Sequence, residues 1–277
     1  ICLNFPMENN PKDIVSPLIN NYPETPVGLT IDDLNKYLSA VQTHSDISLD
    51  QDRMSEGLFN TDCLNGLKRI PDESIDLIIT EPPNKKINID GKRESSNIQD
   101  CYDWNNNWLF EVKRVLKNTG SIYILTDWKH SSMYHDLLGR LFKIQSRIIW
   151  RSKIKTPLKT KSWINNTSDI WFATKTDDYL FRVLDNKNEL SKNNLLGQEI
   201  SDLWLDIPDK IQDFEKNTQM IYLKILKASS FSLNWVLDPF MSFGDVGVAS
   251  KSLGRRFIGF EKDKDSLIIA MKRIDEN

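Results

Sequence analysis

The sequence predicts an α/β fold: a mostly parallel sheet with helices on both faces and one antiparallel hairpin. Three observations predict it. From residue 57 onward, short apolar strands alternate with helix-period stripes, the rhythm of crossover connections. Residues 75–79 (IDLII) form an almost unbroken apolar run, as a strand covered on both faces requires. Residues 234–261 read as strand, glycine-containing turn, helix, glycine stop and strand, which is one βαβ unit.

The elements follow in order. Residues 1–56 are polar and Pro/Asn-rich and form an accessory segment. It holds one helix, signalled by Thr30 and Asp33 as a capping box and by the stripe Leu34, Tyr37, Leu38, Val41. The main domain spans 57–277. Strand 57–60 leads to helix 63–69 and strand 75–80; Trp108, Leu109, Val112, Val115 and Leu116 mark a helix that Gly120 is expected to stop. Strand 121–126, helix 130–142 and strand 144–150 follow. Strands 169–174 and 178–183 are close enough to pair as the hairpin. Helix 217–228, strand 235–238, helix 246–253, strand 256–261 and helix 263–274 complete the domain. Two polar stretches interrupt it: 84–103, long enough to act as a lid, and 184–213, a surface excursion.

Composition narrows the function. A net charge of −3 leaves no global basic field, so contact with nucleic acid must rest on a local patch. Three scattered cysteines, Cys2, Cys63 and Cys101, fit a reducing compartment and form neither a disulfide framework nor a zinc site. His44, His130 and His135 lack ligand spacing, so no metal is expected. No apolar run approaches the ~18 residues of a membrane span. The opening ICLNFPMENN has neither an initiator methionine nor a leader core, so the chain is expected to be part of a longer or trimmed one.

Two motifs carry chemistry. Strand 75–80 ends in Glu81-Pro82-Pro83-Asn84, and two consecutive prolines cannot extend a sheet because neither has a backbone N–H. A stiff, acid-led turn therefore sits where open α/β sheets bind ligands, beyond the carboxyl end of a strand. The second motif, Asp238 to Glu261, has small residues where a ligand approaches the backbone and an acid placed to accept from ribose hydroxyls. It is neither G-x-G-x-x-G nor a P-loop.

Together these stretches resemble the amino-methyltransferases of DNA, which use S-adenosylmethionine to methylate the exocyclic nitrogen of adenine or cytosine. FNTDCLNGLKRIPDESIDLIITEPPN is similar to their D-C-L … (D/S)-P-P-aromatic segment, and VLDPFMSFGDVGVASKSLGRRFIGFEKD to D-P-F-x-G-S-G-T-T … L-G-R-x-(F/Y)-I-G-x-E. The pieces RVLKNTGSIYI, IIWRSK, NNTSDIWFATK, DLWLDIP and KNTQMIYLKILKASS are collinear with it. The resemblance covers about residues 57–274, in the permuted order of the beta-type branch. It implies a Rossmann-like methyltransferase fold, S-adenosylmethionine as cofactor and DNA as substrate.

By that resemblance Glu81, Pro82, Pro83 and Asn84 occupy the catalytic turn, which accepts hydrogen bonds from the amine of a base flipped out of the duplex. Asp62, Asp238, Phe240, Ser242, Gly244 and Glu261 fall on the cofactor positions. The sequence departs from the family at several of them. Glu81 replaces Asp or Ser and reaches about 1.5 Å further, where ~1 Å of misplacement can cost ~10²-fold in rate. Asn84 replaces the aromatic that stacks on the base, a contact of about 1–3 kcal/mol. Ser242 adds a Cβ, Phe243 bulk and Asp245 negative charge to the cofactor turn, and Asn217-Thr218 replaces Lys-Pro.

Impaired cofactor binding is the expectation, and with it a non-catalytic or partner-dependent subunit. Such a chain supports DNA binding or an active homologue, as a homo- or hetero-dimer with a related methyltransferase. An active site-specific methyltransferase with an EPPN motif is the alternative; methylation of RNA or a small molecule is a third reading that the fold permits. Arg151, Lys153, Lys155, Lys159 and Lys161, without an intervening acid, are the expected DNA-phosphate contacts, joined by Lys85, Lys86, Lys92 and Arg93. The expected location is the cytoplasm with the nucleoid, or the nucleus in a eukaryote.

Overall fold

A computed structural model describes residues 28–83, 98–151, 166–182, 201–205 and 214–277. Among the described residues nine strands form one sheet: β1 Gln42–Thr43, β2 Gly57–Asn60, β3 Ile75–Thr80, β4 Leu116–Thr126, β5 Lys143–Arg151, β6 Thr167–Thr174, β7 Leu203–Trp204, β8 Trp235–Asp238 and β9 Arg256–Glu261. Their order is β1-β2-β9-β8-β3-β4-β6-β5-β7. Neighbours from β1 to β4 run parallel, and β6 is antiparallel to both β4 and β5.

Seven α-helices among the described residues cover it: α1 Ile31–Leu38, α2 Cys63–Leu67, α3 Ile98–Val115, α4 Trp128–Leu141, α5 Phe214–Ser229, α6 Asp245–Ser252 and α7 Lys264–Asp275. Alternation along the strands sorts them into two layers. On β3, Ile78 joins the core under α2, α3 and α4, around Trp108 and Tyr134, and so does Ile75, because an irregularity between Ile75 and Leu77 breaks the alternation there. Leu77 and Ile79 face α5, α6 and α7, with Ile221, Val246 and Leu267. A strand buried on both sides is what the run IDLII foretold.

Several boundaries differ from the sequence reading, each for a local reason. The antiparallel hairpin pairs β5 with β6, while 178–182 form no strand. Thr176 Oγ1 instead accepts the N–H of Asp178, a local turn competing with the ladder. Helix α3 starts at Ile98, inside the expected 84–103 loop, and ends at Val115, so Gly120 lies within β4 rather than stopping a helix. Its polar first half is anchored by Asn105, which accepts from Trp108 Nε1 at 2.9 Å and from the Tyr134 hydroxyl at 2.9 Å. The 184–213 stretch contributes an edge strand, β7, paired with β5; residues 84–97, 183–200 and 206–213 lie outside the described ones.

Helix α1 carries the capping box read from Thr30 and Asp33: Thr30 N–H donates to Asp33 at 2.8 Å and Asp33 N–H to Thr30 Oγ1 at 3.1 Å. It docks on α7 through Leu29, Tyr37, Ile268 and Ile269. No helix among the described residues is long and apolar enough to cross a membrane.

Candidate active site

The sheet changes direction between β8 and β3. From β8 the chain passes through α6 to β9 on one side; from β3 it passes through α3 to β4 on the other, over the opposite face. That divergence opens a crevice at the carboxyl ends of the two strands, the place where open α/β sheets take ligands. Acids collect there: Glu81 after β3, Asp127 after β4, Asp238 at the end of β8, Glu261 at the end of β9 and Asp62 after β2.

Asp238 joins the two motifs. Its Oδ1 accepts from the Thr80 hydroxyl at 2.7 Å and from Phe240 N–H at 3.0 Å, and both Thr80 and Asp238 are buried. Burial pushes the Asp238 carboxyl up to about 7, against these bonds and with help from Glu261 and Glu81. Glu81 itself shows surface to solvent, yet protein atoms crowd its carboxyl. That crowding, then the charges of Asp245 and Asp127, raise its pKa above the ordinary glutamate range. Pro82 is buried and Pro83 exposed, so the turn is anchored on one side only. Asn84 lies outside the described residues.

The β8–α6 turn keeps an open backbone despite its side chains. Ser242 has φ 48° and Gly244 φ 81°, both in the left-handed region that favours glycine. Ser242 N–H donates to Glu261 Oε2 at 3.0 Å and Asp263 N–H to Oε1 at 2.7 Å, which fixes the acid and leaves each oxygen a further lone pair. Burial raises the Glu261 carboxyl against these bonds.

The structure gives Phe243 and Asp245 of this turn partners on the α1–α7 side. Phe243 turns to the apolar cluster of Leu29, Tyr37, Ile268 and Ile269, so its bulk packs against the α1–α7 layer. Asp245 is paired: the buried Arg273 guanidinium lies at 2.6 Å and also donates to the Phe243 carbonyl, which offsets part of its charge. Asp245 stands in the first turn of α6, where the helix dipole also favours an acid. The Ser242 Cβ stands as backbone strain.

Other expected residues take ordinary structural posts as well. Asp62 caps α2, accepting from Asn65 N–H at 3.0 Å. Phe240 packs edge-on against Trp108 at 5.2 Å and tilted against Trp104 at 5.4 Å. Arg151 ends β5, which runs parallel to β4, so the basic run begins at the same rim as Glu81. Lys153, Lys155, Lys159 and Lys161 lie outside the described residues, as do Lys85, Lys86, Lys92 and Arg93. The side chains of Asn217 and Thr218 are likewise outside them.

Sequence reasoning missed Tyr222. It is buried on α5 among the charges of Glu81, Asp245 and Asp238, and with burial they lift its phenol well above the usual range. Its place in the apolar stripe of α5 concealed it. A cavity of about 360 Å³ lined by Asp76, Tyr179, Ser229 and Asn234 lies at the amino ends of β3 and β8. It is at the opposite end of the strands and plays no part in this site.

The family model described as DNA methylase, for N6 and N4 methyltransferases, matches residues 75–272. Type II methyltransferase M.HinfI of Haemophilus influenzae is 30% identical over 245 residues, 78% of this chain and 67% of its own length. M.BamHI of Bacillus amyloliquefaciens is 27% identical, over 79% of this chain and 60% of its length. M2.DpnII of Streptococcus pneumoniae is 26% identical, over 79% and 89%. The chain thus spans about two thirds or less of the first two relatives. Among solved structures, the cytosine-N4-specific PvuII DNA methyltransferase superposes with a TM-score of 0.61 at 18% identity, covering 79% of this chain and 86% of its own. M1.HpyAVI in complex with S-adenosylmethionine gives 0.54 at 22%, covering 78% and 98%. At these identities the superpositions speak for the fold alone.

Proposed function

Because the chain belongs to the N6/N4 DNA methylase family, we propose that it holds S-adenosylmethionine at the β8–α6 turn and presents a DNA base amine to the Glu81 turn. We further propose that it transfers the methyl group feebly on its own and works beside a more active methylase subunit. The observation that carries the first part is the backbone of Ser242 and Gly244 with its bond to Glu261, a cradle that three substitutions have not closed. The residues fit the cofactor: Glu261 retains acceptor capacity for ribose hydroxyls, Asp62 lies at the end of β2, and the turn offers backbone rather than bulk.

S-adenosylmethionine, when bound, supplies an electrophilic sulfonium methyl. The chain's own share is to position the amine. An exocyclic amine is a poor nucleophile because its lone pair is delocalised, and hydrogen bonds accepted by Glu81 and the Pro82 carbonyl localise it. The Thr80–Asp238 bond sets this turn against the cofactor turn. The second part of the reading rests on Glu81. Protein atoms crowd its carboxyl and the charges of Asp245 and Asp127 add to the effect; both raise its pKa, against the ionised form that accepts best from an amine.

Transfer of labelled methyl groups to DNA of mixed sequence tests the reading. Wild-type chain alone should give little product, and the double substitution Glu81→Asp, Asn84→Tyr should raise it by at least about tenfold, given the geometric and stacking terms involved. Wild-type transfer as fast as the double variant's favours the second reading, an enzyme active alone. That reading draws on the Arg273–Asp245 pair, which offsets part of the turn's charge.

A further inference from the structure

Trp128 is the first residue of α4 and is 59% exposed, at the carboxyl rim of the sheet. A large aromatic left open at the rim of a ligand crevice offers an apolar face with a polar edge to whatever enters there. Trp104 and Trp108 pack on Phe240, Trp171 meets His135, and Trp204 and Trp235 each lie under a cation. Among the described residues Trp128 and Trp150 have no such partner, and of the two Trp150 packs on the core while Trp128 stands open.

Its backbone is nonetheless held. Asp127 caps α4, accepting from Lys129 N–H at 2.9 Å and His130 N–H at 3.1 Å, with His130 Nδ1 at 2.8 Å from the same oxygen. Ile124 lies beside Thr80 in the parallel register, and β4 runs on for two residues to Thr126, roughly 6–7 Å. Asp127 and Trp128 therefore follow a strand that extends two residues past the end of β3, at the same rim as the turn that begins at Glu81.

We propose that Trp128 is the stacking surface for a nucleobase swung out of DNA and presented to the Glu81 turn. This rests on the DNA methylase reading above. The residue after the prolines, Asn84, offers no aromatic face, whereas a capped helix start offers an indole whose backbone is already ordered. Stacking on an aromatic side chain is worth about 1–3 kcal/mol per base, or roughly 5- to 150-fold in affinity.

The test separates base from phosphate. Fluorescence anisotropy of the full chain is measured with a labelled single-stranded deoxyadenosine 20-mer and with an abasic oligonucleotide of the same length. Wild type should prefer the base-bearing strand. Trp128→Ala should remove that preference, at least about fivefold, and leave the abasic affinity unchanged. Trp128→Phe should keep most of the preference, and Phe110→Ala, an exposed aromatic further along α3, all of it. A Trp128→Ala variant that retains the wild-type preference overturns the proposal, and so does one that loses both affinities equally, since that marks a structural role. If wild type binds neither strand, the DNA reading itself falls and takes this proposal with it.

Discussion

Thr80 donates a 2.7 Å hydrogen bond to Asp238, so the strand leading into the Pro-Pro turn and the strand leading into the cofactor turn share one buried carboxylate. The two halves of the site, more than 150 residues apart in sequence, are set against each other by this contact.

The first prediction concerns pH. The Asp238 pKa lies at about 7 in the folded chain, against 3.8 for an ordinary aspartate. Between about pH 4 and 7 the folded chain therefore holds a proton that the unfolded chain has released. The group favours folding at low pH, and that contribution is lost as pH rises through 7. Asp238→Asn, which keeps an acceptor for Thr80, should gain on wild type by about 2–3 kcal/mol between pH 5 and 8 in urea melts. A difference that does not change with pH contradicts it.

Ser242 supplies the second. A side chain at φ 48° costs about 1–2 kcal/mol, partly offset because glycine has more freedom to lose on folding. Ser242→Gly should stabilise the chain by roughly 0.5–1 kcal/mol, and Ser242→Val should destabilise it, read by thermal or urea denaturation. A destabilised glycine variant means the serine hydroxyl has a role that the backbone argument misses.

Arg273 and Asp245 supply the third. The guanidinium is 3% exposed and its partner 34%, so removing the acid takes a charged hydrogen-bond partner from a buried cation. Asp245→Asn should cost about 2–3 kcal/mol, below the full cost of a wholly buried pair because water reaches Asp245. A double-mutant cycle with Arg273→Met should return a coupling above about 1 kcal/mol. Additive losses contradict the pairing.

Much of this was legible in the sequence, for physical reasons. Period-two and period-3.6 patterns reveal buried strands and amphipathic helices, so 57–60, 75–80, 235–238 and 256–261 match their observed strands. Polar residues that satisfy one another hide structure: the first half of α3 and the strand Leu203–Trp204 carry no apolar stripe long enough to read. The direction of a side chain is also invisible in sequence. Phe243 and Asp245 read as obstacles to a cofactor, yet each finds its partner on α7, more than twenty residues further along.

Calorimetric titration of the chain with S-adenosylmethionine tests the central claim most directly, because it asks about the cofactor turn without requiring a turnover or a recognition sequence. Saturable binding of one equivalent, weakened at least about tenfold by Glu261→Ala through loss of charge-assisted hydrogen bonds to the ribose, is the result expected. Absence of binding by a folded wild-type chain, or binding that Glu261→Ala leaves untouched, contradicts the account.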